Sequence, residues 1–296
     1  MKAQQTRQGI MFALGAYLIW GLAPAYFKTI QQVAPPEIMT HRVIWSFFFM
    51  LFLISITHSW GDVRALLRQP HKILWLGVTA VVVASNWLLY IWAVNNHHIL
   101  ESSLGYFINP LVNVVMGMVF LGEQFRRLQW VAVALATCGV LIQIWQFGSV
   151  PYIALGITLS FSTYGLLRKK IAVNAQAGML LETCWLLIPA SVYLFAIADS
   201  PTSHLAQNPI SLNLLLISAG IVTTVPLLLF TAACLRLRLS TIGFFQYLGP
   251  TLMFLQAVLF YGEQLTPDKA VTFAFIWAAL LLFITDALLM RGRPRV

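Results

Sequence analysis

Charge is what this sequence lacks most. Only 9% of its 296 residues are charged, against 59% hydrophobic, whereas soluble domains carry about a quarter charged residues. So few charges cannot cover a water-facing surface, which excludes a soluble globular protein and points to a chain solvated by lipid. Cysteine is scarce too. Cys138, Cys184 and Cys234 fall inside apolar runs without framework or metal spacing, and read as small buried residues. No GxxxxGK[ST] loop is present, so the chain has no phosphate cradle with which to use ATP. No acid lies between Gly9 and Phe27, which disfavours proton cycling on a first-helix carboxylate.

What is present is a series of apolar runs. Runs of roughly 17–25 residues cross a bilayer as helices, because lipid leaves backbone groups no other open way to be satisfied. Ten are expected, near 9–29, 36–57, 73–94, 101–121, 127–146, 150–167, 178–198, 211–233, 240–260 and 267–289. The first, with Lys2 and Arg7 ahead of it and Ala23-Pro24-Ala25 near its end, resembles a secretory signal. It is read as an uncleaved helix, since its removal would leave an odd set. The longest connections, 57–72 and 199–211, are polar and too short for a soluble domain.

The formal charge of +9 does not suggest nucleic acid, because the basic residues come in twos and threes between the runs. Lys2, Arg7, Arg64, Arg68, Lys72, Arg126, Arg127, Arg168, Lys169, Lys170, Arg236, Arg238, Arg291, Arg293 and Arg295 fall on one side of the expected bilayer. Lys28, Arg42 and Lys269 are the remainder of the 18. The positive-inside rule then puts both termini in the cytoplasm.

Internal repetition comes next. Segment 110–124, PLVNVVMGMVFLGEQ, returns at 250–264 as PTLMFLQAVLFYGEQ. Five spans separate the copies, an odd number, so the second half is expected upside down relative to the first. Residues 1–147 and 148–296 are then two inverted five-helix repeats of an all-α polytopic membrane protein, an arrangement expected of secondary transporters. Weaker echoes pair Trp20–Lys28 with Phe161–Lys169, and His41 with Glu182.

The segments YLIWGLAPAYFK (17–28), EIMTHRVIWS (37–46), NWLLYIWAVNNHHILESSLGYFINP (86–110), STYGLLRKKI (162–171) and FFQYLGPTLMFLQAVLFYGEQ (244–264) resemble the EamA group of the drug/metabolite transporter superfamily over nearly the whole chain. The resemblance implies a bacterial inner-membrane permease with ten helices in two inverted repeats. It also implies that helices 1–4 and 6–9 surround a central cavity, with 5 and 10 outside.

Ionisable residues inside a membrane are functional candidates by default. On span 2, His41 is i+4 from Glu37 and can pair with it. Arg42 either snorkels to the interface or faces the cavity, where it suits an anionic substrate group. Glu182 either sits at a helix N-terminus that favours an anion or serves the cavity as a proton- or cation-binding group. Asn86 and Tyr90, four apart, either join helices or line a cavity. Asn109 and Asn113 flank Pro110, where an amide can satisfy a freed carbonyl; Gln246 and Tyr247 occupy the equivalent zone before Pro250. A polar patch repeated at a bent helix is where substrate is expected.

Gly122 and Gly262 can close their helices in left-handed caps. Glu123 and Glu263 then read as hairpin residues, Glu123 beside Arg126 and Arg127. His97, His98 and Glu101 provide too few ligands on one face for a catalytic metal, so no metal and no cofactor is expected. Nothing resembles a nucleophile–base constellation. The reading is therefore a transporter for a small organic metabolite or drug, with lipid and substrate as partners, in preference to an enzyme or a non-transporting sensor.

Overall fold

The computed structural model describes residues 2–203, 205–260 and 267–289; Gly262 and Glu263 lie outside the described residues. These fold into helices α1 (Lys2–Lys28), α2 (Pro35–Ile56), α3 (Trp60–Leu67), α4 (Pro70–Asn95), α5 (Ile99–Leu121), α6 (Arg127–Phe147), α7 (Tyr152–Ile171) and α8 (Ala175–Val192). A π-helical turn, Tyr193–Ile197, extends α8 before α9 (Ile210–Cys234), α10 (Leu239–Gln246), α11 (Leu248–Phe260) and α12 (Pro267–Leu289). No strand occurs among the described residues.

Seven of the helices, α1, α2, α4, α5, α6, α8 with its π turn, and α9, are long and apolar enough to cross a membrane. A shorter apolar stretch, Ala270–Asp286, lies in α12. Large apolar side chains cover the outside, with Trp145 87% and Phe195 81% exposed. Water would expel such a surface, and lipid solvates it. The chain is a multi-pass, all-helical membrane protein.

Two local differences from the sequence expectation have clear causes. The connection at 57–72 contains α3, whose Val63 and Leu66 are buried and hold it to the bundle. The run at 240–260 is broken at Tyr247 into α10 and α11. Pro250 has no N–H to give and its ring crowds the carbonyl four residues earlier, that of Gln246, so the helix restarts there. The cysteines also diverge: Cys234 is buried and Cys184 half-buried, but Cys138 is exposed on the lipid-covered surface. An apolar run has an outer face as well as an inner one.

The packing has a reciprocal pattern. Helix α6 lies on α12, α2 on α8, and α5 on α10. The contact of α1 with α9 is mirrored by that of α7 with α4; α2 with α9 by α8 with α4; and α1 with α11 by α7 with α5. Where α2 crosses α9, a Cβ on Gly220 would lie 2.4 Å from the backbone carbon of Trp45. Ser46 donates to the Gly220 carbonyl at 3.2 Å at the same crossing. Only glycine lets the two backbones approach so closely.

Candidate functional site

Where α2, α4, α7, α8 and α9 converge they leave a small cavity with room for little more than a water molecule. Its polar lining is Ser46, Tyr164, Glu182, Thr183, Thr223 and Thr224; Trp87 and several aliphatic side chains complete it. A mainly apolar wall with a few convergent polar groups is the usual chemistry of a small-molecule site.

Glu182 is 2% exposed. The helix that bears it starts at Ala175 and is capped by Asn174, whose side-chain oxygen accepts from the amides of Gln176 and Ala177. Glu182 therefore stands about two turns inside α8 and does not serve its N-terminus, contrary to the helix-start reading. Its carboxylate accepts from Thr79 Oγ1 at 2.5 Å and from the Tyr164 hydroxyl at 3.2 Å. Arg168 Nη1 lies 3.6 Å away, itself 2% exposed. A buried carboxylate is tolerated when it is paired and hydrogen-bonded, and this one is both. The guanidinium rests on Gly178, where a Cβ would meet it at 2.2 Å.

Arg42 is held on the other flank of the cavity. Its Nε donates to Thr223 Oγ1 at 2.8 Å. Its guanidinium carbon lies 4.7 Å from the Trp87 ring centroid and 5.4 Å from that of Phe27. Cation–π contact of this kind fixes a guanidinium by its face. The neighbouring residue differs from expectation: His41 is fully buried and neither ring nitrogen has a hydrogen-bond partner. Glu37, proposed as its mate, instead accepts from Thr202 Oγ1 at 2.9 Å.

The remaining candidates join helices. Asn86 donates to the Ile157 carbonyl at 2.7 Å and to Ser160 Oγ at 2.9 Å, tying α4 to α7. Asn109 accepts from Ser162 Oγ at 2.7 Å, tying α5 to α7. Asn113 donates to Gln246 Oε1 at 2.5 Å, tying α5 to α10. Tyr247 is buried with its hydroxyl unpaired, beside a small apolar void at Pro110 and Phe244. Tyr90 is 37% exposed and meets Tyr106 edge-on, centroids 6.3 Å apart. Asn113, just after Pro110, thus lies against the polar zone before Pro250, and neither lines the cavity.

Gly122 closes α5 at φ 64°, as an αL cap does. Glu123 then reaches past its own turn to the start of α10. It accepts from the Leu239 amide at 2.6 Å, the Ser240 amide at 3.0 Å and Ser240 Oγ at 2.5 Å. A carboxylate satisfies the unpaired amides of a helix N-terminus and complements its dipole. The hairpin reading gave Glu123 a neighbouring arginine; Arg126 instead pairs with Asp286 at 3.0 Å, bridging α6 and α12. At the opposite hairpin, Glu101 accepts from the Ile153 amide at 2.7 Å, with His98 3.7 Å away. No cluster of three metal-ligating side chains occurs among the described residues.

Sequence reasoning did not single out Arg168, Tyr164, Thr79 or Thr223. Arg168 was assigned to a run of interfacial charges, Arg168-Lys169-Lys170. The signal available was helical phase, since Tyr164 and Arg168 are four apart on the face toward α8.

Residues 7–145 match the model of the EamA-like transporter family. The chain is 68% identical over 293 residues to "Protein RarD" of Escherichia coli, covering 99% of each. It is 55% identical to an "Uncharacterized transporter" of Vibrio cholerae, covering 96% of this chain and 94% of that one. With the "Uncharacterized transporter YojE" of Bacillus subtilis it shares 40% identity over 96% and 95% of the two chains. A solved structure described as "Crystal structure of protein" has the same fold, with TM-score 0.71 at 18% identity, covering 94% of this chain and 98% of that one.

Proposed function

The chain belongs to the EamA-like transporter family, and from that premise we propose that it carries a small organic molecule across the bacterial inner membrane by alternating access. Export is the proposed direction, following the lean of the superfamily. The protein acts as a transporter, not an enzyme, with substrate and lipid as its partners and no nucleic acid or cofactor.

The observation that carries this reading is the cavity between α2, α4, α7, α8 and α9, with Glu182 in its wall. An ionisable side chain kept inside a membrane bundle marks a pathway more often than a scaffold. Substrate contact is assigned to Arg42, Trp87, Glu182 and Thr223, while Asn86, Asn109, Asn113 and Gln246 hold the helices around them. His41, fully buried and directly before Arg42 in α2, belongs with the supporting group.

Ten crossings follow when α7, α10 with α11, and α12 are added to the seven apolar helices. The reciprocal packing supports inverted repeats at 1–147 and 148–296, because the most extensive helix contacts have counterparts after exchange. Two such halves rocking about a shared site give alternating access. The basic residues favour cytoplasmic termini.

Purified protein in liposomes, loaded with a metabolite panel, tests the reading. Protein-dependent counterflow of at least one compound is expected. Product formation without flux of any compound would sink it.

A further inference from the structure

The cavity has a charge imbalance that names the class of its ligand. Among the described residues the ion pairs are His98–Glu101, Arg126–Asp286 and Arg168–Glu182. The carboxylate in the cavity wall is therefore already matched by its own arginine. Arg42 belongs to no pair, and Glu37, the acid on its own helix, is engaged with Thr202.

Nor is Arg42 free to reach for the interface. Thr223 holds Nε and Trp87 supports the guanidinium face, and both residues also line the cavity. The bond to Thr223 uses Nε, so the terminal nitrogens, which bind carboxylates in bidentate fashion, are not spent on it. A cation fixed at the edge of a low-dielectric space is stabilised by an anion that arrives with the ligand. Val43, Val83, Met179, Leu186 and Leu227 add an apolar face to the wall.

We propose that the transported molecule is an amphipathic organic monoanion, whose carboxylate or sulfonate is received by Arg42 while its apolar body lies against the cavity's lining residues, which part from their present water-sized spacing to admit it. A dianion is disfavoured, because Glu182 and Arg168 compensate each other and, among the described residues that touch the cavity lining, Arg42 supplies a single further positive charge. This assignment rests on the transporter reading above and supplies its substrate class.

Four probes of one shape but different charge test it: benzenesulfonate, benzoate, benzamide and benzylamine. Thermal unfolding of the purified wild-type protein is followed with each. Benzenesulfonate and benzoate are expected to stabilise at concentrations about tenfold or more below benzamide, and benzylamine not at all. Arg42→Gln is expected to erase the preference for anions over benzamide. Equal response to anion and amide in the wild type overturns the assignment, as does an anion preference retained by Arg42→Gln. Should Arg42→Gln fail to fold, the wild-type comparison decides alone. Liposome flux separates the two readings. Anion binding without flux of any compound overturns the transporter reading, and flux confined to neutral or cationic compounds overturns the anion site.

Discussion

Glu123 and Ser240 lie far apart in the chain and are joined by a hydrogen bond of 2.5 Å from the serine hydroxyl to the carboxylate. Through it, the end of α5 caps the start of α10, so one side chain stitches the two halves of the protein together. Glu123→Ala removes acceptors for two helix-terminal amides and is expected to cost about 0.5–2 kcal/mol, the range for lost caps. Glu123→Gln, which keeps one acceptor, should cost less. Thermal unfolding in detergent measures both, and an unchanged midpoint for the alanine variant would remove the cap from the account.

Glu182→Gln leaves Arg168 buried without a counter-charge. Breaking a buried pair from one side costs about 3–5 kcal/mol in soluble proteins, and a loss in that range is expected here. The double variant Glu182→Gln with Arg168→Met should recover much of it, since neither charge then needs a partner. Denaturant titration of the four proteins in a double-mutant cycle gives the coupling. Additive losses would show that the two side chains do not act as a pair.

Gly220→Ala places a methyl group against the backbone of α2 at Trp45 and Ser46. Backbone cannot rotate away as a side chain can, so destabilisation of about 1–3 kcal/mol or more is expected. The control is Gly61→Ala in α3, where a Cβ meets nothing within 4 Å. Folded yield and unfolding temperature should fall for the first and hold for the second.

Single cysteines at positions 123 and 263, in a protein whose Cys138, Cys184 and Cys234 are replaced, should label with an impermeant maleimide from opposite faces of the membrane. Labelling from one face only would end the inverted-repeat reading.

Most of the helices were legible because lipid imposes long apolar runs, and α2, α6, α9 and α12 lie within a residue or two of their expected bounds. A bend was expected at Pro110 and Pro250 alike, and packing decides that the second becomes a break, at Tyr247. Pro110 stays inside α5 and Pro226 inside α9. The site was less legible than the fold. Glu182 and Arg42 stood out as charges in apolar runs, but the partner of Glu182 was hidden in a basic cluster. Amides such as Asn86 and Asn113 have the same appearance in sequence whether they bind a ligand or a neighbouring helix. The choice is made by what faces them across the bundle, and a single strand of sequence does not contain that.

The pairing of Arg168 with Glu182 also bears on how the protein is made. The two residues sit on consecutive helices, α7 and α8, joined by a tight turn through Ala172 at φ 51° and the Asn174 cap. Forming that hairpin is sufficient to bring them within reach of each other, with no further helix needed. Thr79, which completes the arrangement from α4, belongs to a segment that precedes the hairpin in the chain. A nascent hairpin of this kind is expected to enter lipid with its charges neutralised by each other, which lowers the cost of placing either ion in hydrocarbon.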